Sequence, residues 1–269
     1  MATAGIFFCH VRSARIDRHY DRLVQETTGL VDWRFVYNEG TEPAPQLGIP
    51  YVSPQICMPK RFVEQLNNGG IPYGYLDTAI IPCALAVEAA FIWIMEYDVD
   101  FSGNWRKFFD QFDTNTADLL TTSIGSRDQF PNWFFWYSAR PPEPISSHSM
   151  FRAFHPIMRI SRRYADAYRA ITAEAWWLGH YEFTLPTIAA AHGFVLEDIG
   201  GELPGRAESL RSCNYVNNPS DPNLGPGTFR WRPSLPFYFH EAPASFLLPA
   251  KLYHPIKADV PLWESKPKD

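Results

Sequence analysis

No stretch of this sequence holds the roughly 18 to 20 consecutive apolar residues that a bilayer-spanning helix needs, so no membrane span is expected and at most a peripheral membrane association. The opening residues, Met-Ala-Thr-Ala-Gly-Ile-Phe-Phe-Cys-His, lack the basic stretch and long apolar core of a secretory signal. The cytoplasm is the expected compartment. Cysteine is scarce, with only Cys9, Cys57, Cys83 and Cys213 and no Cys-x-x-Cys pair, which argues against a cysteine zinc site or a redox motif. Free, mostly buried thiols are expected. Long basic runs are missing as well, and the net charge is −5, which argues against nucleic acid as the main partner. A polyanionic substrate would have to be met by local arginines or by a metal.

What the chain has is apolar and aromatic mass. Apolar residues make up 46% and aromatics 16% of 269 residues, enough for a substantial core in one large α/β domain. The centre of that domain is predicted at Phe91-Ile-Trp-Ile-Met-Glu96-Tyr97-Asp98-Val99-Asp100. Residues 91–95 read as a strand buried on both faces, and ligands of open α/β sheets collect at the carboxyl ends of such strands. If the extended conformation continued, Glu96, Asp98 and Asp100 would project to one side. Three carboxylates so placed repel one another, and a hard divalent cation such as Mg²⁺ or Mn²⁺, bridging to substrate phosphates, would relieve that repulsion. The same apolar strand followed by Asp98-Val99-Asp100 also resembles the nucleophile motif of haloacid-dehalogenase-like phosphatases, in which the first Asp attacks phosphorus.

Along the chain, residues 5–9 and 33–37 read as strands flanking a helix over 17–28, and a Pro- and Gly-rich loop covers 38–53. Short helices are predicted over 59–66, 77–90 and 105–112, and a strand over 117–124. Asn132-Trp-Phe-Phe-Trp-Tyr137 cannot turn every ring to one core, which makes Trp133 and Trp136 candidates for stacking on a sugar. An apolar stripe predicts a helix over 160–177. Thr184 and Pro186 mark the next helix start, with His180 and Glu182 on the loop before it, and 194–196 reads as a strand. Residues 200–236 are irregular apart from Phe229-Arg230-Trp231-Arg232, the kind of segment that forms a binding loop.

Three of these stretches together resemble bacterial glycosyltransferases of the GT-A fold: Glu96-Tyr97-Asp98 with its continuation to Trp105, the block Gly179-His180-Tyr181-Glu182 ending in Pro186, and Lys251-Leu-Tyr-His254-Pro-Ile-Lys257. The resemblance implies a Rossmann-like mixed sheet flanked by helices, with a donor-binding half over about 1–125, an acceptor-side half over about 126–257 and a tail over 258–269. It implies that Glu96-Tyr97-Asp98 stands for the family's Asp-any-Asp motif, with Asp98 as a ligand of Mn²⁺ or Mg²⁺. Glu96, where the family has Asp, would be a ligand or a sugar contact, and His254 would complete the site, with His240 as its rival. Lys257 would meet a phosphate, and the loop carrying His10, Arg12 and Arg15 would lie near the donor nucleotide. Glu182 would act as general base towards a hydroxyl acceptor. The partners implied are a nucleotide-diphosphate sugar donor and a carbohydrate or glycolipid acceptor, in surface polysaccharide or glycan synthesis. The phosphatase reading fits less well, because its nucleophile strand normally opens the domain. A carbohydrate-binding protein without catalysis would use the aromatics and leave the acids unexplained.

Overall fold

The computed structural model describes residues 3–10, 13–37, 74–200, 212–234, 238–240 and 246–257. Thr3–Cys9 (β1) and Asp32–Tyr37 (β2) are joined through the helix Ala14–Glu26 (α1), which turns Ile16, His19 and Leu23 inward at helical spacing. Asp77–Leu85 (α2) precedes Phe91–Glu96 (β3), and β3 lies parallel to β1 on the side away from β2. Gly5 of β1 is flanked by Trp33 and Trp93 on the two neighbouring strands. A Cβ on Gly5 would come within 2.3 Å of the Trp33 ring, so only glycine lets that indole lie on the strand. Because the chain leaves β1 to one side and returns on the other as β3, the carboxyl ends of these two strands form the topological switch point at which open α/β sheets bind ligands.

After β3 come Asp100–Phe101 (β4), Trp105–Asp110 (α3) and Leu119–Ser126 (β5). Phe151–Ser161 (β6) runs antiparallel between β3 and β5, and Leu196–Asp198 (β7) lies parallel to β5 at the far edge. Arg162–Glu174 (α4) and Tyr181–Ala191 (α5) stand between β6 and β7 in sequence. Leu252–Tyr253 (β8) pairs antiparallel with β4 in a separate two-stranded sheet. The main sheet order is therefore β2-β1-β3-β6-β5-β7.

Alternation along β3 builds a core on each face. Trp93 and Met95 join Phe7, Trp33, Trp105, Phe108 and Phe109 under α1 and α3, whereas Ile92 and Ile94 join Ile80, Met158, Tyr164 and Leu185 under α2, α4 and α5. Each such large side chain contributes roughly 1.5–3 kcal/mol when removed from water. The α/β class and the mixed sheet flanked by helices expected from the sequence are what the structure has.

Several local expectations change. The three carboxylates do not all share one side, because β3 ends at Glu96 and the chain turns at Tyr97 and Asp98, which keeps Glu96 and Asp98 together and sends Asp100 elsewhere. β6 has no counterpart among the sequence expectations, and Ile160 belongs to it rather than to the helix, which starts at Arg162. α5 begins at Tyr181, so Glu182 is in its first turn and not on the preceding loop. Arg12, Cys57, the helix expected over 59–66 and the tail 258–269 lie outside the described residues, as do 201–211 and 235–237 of the irregular segment. No helix among the described residues is long and apolar enough to cross a membrane.

Candidate metal and substrate site

The turn after β3 parts Asp100 from Glu96 and Asp98. Tyr97 N–H donates to the Phe8 carbonyl at 3.0 Å and Val99 N–H to the Glu96 carbonyl at 3.1 Å, which folds the chain back over the end of β1. Asp100 then points towards α1. Its Oδ1 accepts from Arg22 Nη1 at 3.0 Å and from Phe101 N–H at 2.6 Å, and His19 Nδ1 stands 3.7 Å away. Arg22 also donates to the carbonyls of Phe101 and Gly103. Asp100 thus ties α1 to β4 and is spent on structure.

Asp98 meets a different neighbour. Pairing of β8 with β4 brings residues 252–257 back across the switch point, where Ile256 N–H donates to the Asp98 carbonyl at 2.8 Å. His254 Nε2 lies 3.6 Å from Asp98 Oδ1, and the Lys257 ammonium donates to Asp98 Oδ2. One ligand atom from each of Glu96, Asp98 and His254 falls within 4.8 Å of the others, the one such group among the described residues. His240 is not in it.

The donor set fits a divalent cation. His254 Nδ1 is 2.6 Å from the Arg230 carbonyl, which can only accept, so Nδ1 carries the hydrogen and Nε2 presents its lone pair to Asp98. Burial lowers the His254 pKa while Asp98 raises it, and the net direction is down, towards the neutral imidazole that ligates metals. Asp98 Oδ1 is buried with no hydrogen-bond partner. A lone pair therefore faces a carboxylate oxygen with no donor between them, an arrangement that a cation completes. Burial also drives the Asp98 pKa up, but His254 and Lys257 more than reverse it, so the carboxylate stays ionised. Half-buried Glu96 is pushed up to about 8 by desolvation and by the charge on Asp98. A cation between them would reverse that shift.

The second half of the site is the amino end of α5. His180 caps the helix, its Nδ1 accepting from Glu182 N–H at 3.3 Å, and its ring is stacked on Phe135 at 4.0 Å. Desolvation pushes His180 down to about 3, which keeps the cap neutral and able to accept. The chain passes close beside it at Gly74, whose φ is +82°, and a Cβ there would meet His180 Cδ2 at 2.5 Å. Glu182 is buried and pushed up to about 8 by desolvation, against the opposing pull of Arg152 and Arg232 and with a further push from Glu96. Tyr181 O–H reaches Glu96 Oε1 at 3.5 Å and so joins α5 to the metal-type group. Behind it the His155 ring lies 5.3 Å from Tyr181, with Nδ1 2.7 Å from Thr121 Oγ1.

The other expected contacts divide. His10 is exposed and packs edge-on to Tyr97 at 5.0 Å, at the rim beside Asp98. Arg15 is buried and donates to the Ile256 carbonyl at 3.4 Å, so it braces the returning segment instead of facing a ligand. Trp136 is buried, packs on Phe183 and donates its indole N–H to the Phe130 carbonyl at 2.7 Å, which leaves no free face for the stacking expected of it. Trp133 is half-buried, 4.8 Å from Trp136 and 6.3 Å from His180. His180 is a buried cap in place of an acceptor contact. No local pattern singles out Arg152, His155, Tyr97 or Tyr181, because their importance arises from the placement of β6, α5 and the turn after β3. Arg232, singled out only as part of an aromatic block, has its charge near Glu96, Glu182 and His180.

Neither protein-family models nor curated sequences give a match to this chain. Solved structures do. They include a Bacillus anthracis protein named as a glucose-1-phosphate thymidylyltransferase, at 14% identity over 73% of this chain and 86% of that one, with a TM-score of 0.40. The inositol-1-phosphate CTP transferase of T. maritima matches at 9% identity over 74% and 86%, and the galactosyltransferase LgtC, solved with donor and acceptor sugar analogues, at 7% over 72% of each chain, both with TM-scores of 0.40. These matched structures are nucleotidyl- and glycosyltransferases of GT-A-like fold.

Proposed function

We propose that this chain is a glycosyltransferase that uses Mn²⁺ or Mg²⁺ to move a sugar from a nucleotide-diphosphate donor to a hydroxyl acceptor, with inversion. The observation that carries the reading is the convergence of Glu96, Asp98 and His254 at the switch point, with their ligand atoms within 4.8 Å and Asp98 Oδ1 buried and unpartnered. Asp98, His254 and Glu96 would hold the cation, which when bound supplies positive charge for the diphosphate that departs. Lys257 and His10 would meet the donor phosphates and nucleotide. Across the site Glu182 would accept the proton of the acceptor hydroxyl as that oxygen bonds to the anomeric carbon and the diphosphate leaves with the electron pair of the broken bond. Desolvation supports this role, because a carboxyl pushed up to about 8 holds a proton well once it has taken it. The half-buried Trp133 remains the aromatic surface suited to an acceptor sugar. A dehalogenase-type phosphatase would need Asp100 free for acid–base work, and Asp100 is engaged by Arg22 and the Phe101 amide.

The test is calorimetric titration with UDP, GDP, CDP and dTDP, each with and without Mn²⁺. Metal-dependent binding of one nucleotide, absent in Asp98→Asn, is expected. Binding of none of them in either condition would overturn the reading.

A further inference from the structure

We infer that Lys257 is a built-in counter-ion which an incoming divalent cation must displace from Asp98, and that the displaced ammonium then meets the diphosphate, so metal and nucleotide each favour the other's binding. The inference rests on the reading of Glu96, Asp98 and His254 as a metal site. The two oxygens of Asp98 have separate neighbours: Oδ1 faces His254 Nε2, and Oδ2 accepts from the Lys257 ammonium. A cation seated among the three ligands would lie beside that ammonium, and like charges a few ångströms apart repel strongly in a poorly solvated site. One of them has to move.

The surroundings of Lys257 decide which part moves. Its backbone is pinned, with Ile256 N–H donating to the Asp98 carbonyl at 2.8 Å, Lys257 N–H donating to the Phe239 carbonyl at 2.9 Å and Arg15 donating to the Ile256 carbonyl. The side chain is 28% exposed and its ammonium also donates to Tyr97 O–H at 3.1 Å, above the Tyr97 ring at 5.0 Å. A flexible four-carbon stem on a fixed backbone swings while its base stays in place. Tyr97 gives the charge a second resting place at the rim, beside exposed His10. From there it would meet an oxygen of the diphosphate.

Titration with MnCl₂ alone, nucleotide absent, separates this idea from a lysine that only binds phosphate. Lys257→Met should bind Mn²⁺ at least about tenfold more tightly than the wild-type chain, whereas Lys257→Arg, which keeps the competing charge, should stay within about threefold of wild type. Saturating UDP, GDP, CDP or dTDP, whichever binds, should then improve Mn²⁺ affinity in the wild type more than in Lys257→Met. In the unmodified wild-type protein, acetylation of Lys257 read by mass spectrometry should rise when Mn²⁺ is added and fall again when the nucleotide follows. That arm stands even if Lys257→Met fails to fold. Equal or weaker Mn²⁺ binding by Lys257→Met, or labelling of Lys257 that Mn²⁺ leaves unchanged, would overturn the counter-ion role and leave the metal site standing. Absence of Mn²⁺ binding in both wild type and Lys257→Met would overturn both.

Discussion

Asp98 stays ionised in a buried setting because His254 and Lys257 outweigh the cost of desolvation. Asp98→Asn removes that charge and leaves the Lys257 ammonium without its partner, so a loss of about 1–3 kcal/mol in urea denaturation is expected, alongside loss of Mn²⁺ binding by calorimetry. Glu182 carries the opposite sign of pH dependence. Its folded pKa of about 8 lies above the ordinary value of 4.5, so its contribution to stability is complete below about pH 4.5 and is lost as pH rises through about 8. The metal-free protein should therefore melt at lower temperature as pH rises over that window, and Glu182→Gln should flatten the decline while still binding donor and failing to transfer. Loss of donor binding in Glu182→Gln would count against its role as base. Trp136→Ala should cost about 3–5 kcal/mol, as expected for an indole lost from a packed core, and Trp133→Ala clearly less. Equal losses by denaturant titration would contradict the packing described for the two rings.

Elements hold the site through a few polar joints. Asp118, just before β5, accepts from Ser161 Oγ at 2.7 Å, Arg163 Nε at 2.7 Å and Val195 N–H at 3.0 Å, which joins the end of β6, the start of α4 and the approach to β7. Burial alone would raise its pKa, but these donors hold it below the usual range. Its stabilising effect is present above the unfolded value of about 3.9 and lost as pH falls through the lower folded value. Asp118→Asn should cost about 1–3 kcal/mol at pH 7 and lose part of that difference in acid, measured by denaturant titration at both pH values. β6 shows why an element can be missed in sequence. Arg152, His155, Pro156 and Arg159 break the apolar pattern of its eleven residues, yet all four are buried, the arginines against distant acceptors: Arg159 donates to the carbonyls of Phe112 and Asn115, and Arg152 to that of Pro219. No local periodicity encodes those acceptors. α5 was legible as a helix, but its start was not, because a histidine takes the capping place that Ser, Thr, Asp and Asn usually fill.

At the scale of the molecule, the site exists because two chain segments far apart in sequence meet at the end of the parallel strands. Mn²⁺ at about a hundred times its dissociation constant should raise stability by roughly 2.7 kcal/mol, a melting shift of several degrees that Asp98→Asn abolishes. Differential scanning calorimetry with and without Mn²⁺ measures it. The sequence by itself determined the α/β class, the buried strand over 91–95 and the acids at its end, since strand alternation and apolar run length are local properties that short-range sterics enforce. It also carried Asp98, Glu182, His254 and Lys257 as residues of interest. Only the tertiary structure decided that Asp98 and Asp100 part company at a turn, that Lys257 reaches Asp98 from 159 positions away, that Glu182 is buried against Arg152, and that Trp136 belongs to the core. Each of those depends on which remote group fills the space beside a side chain, and that is set by strand order and helix packing, which no local pattern of residues contains.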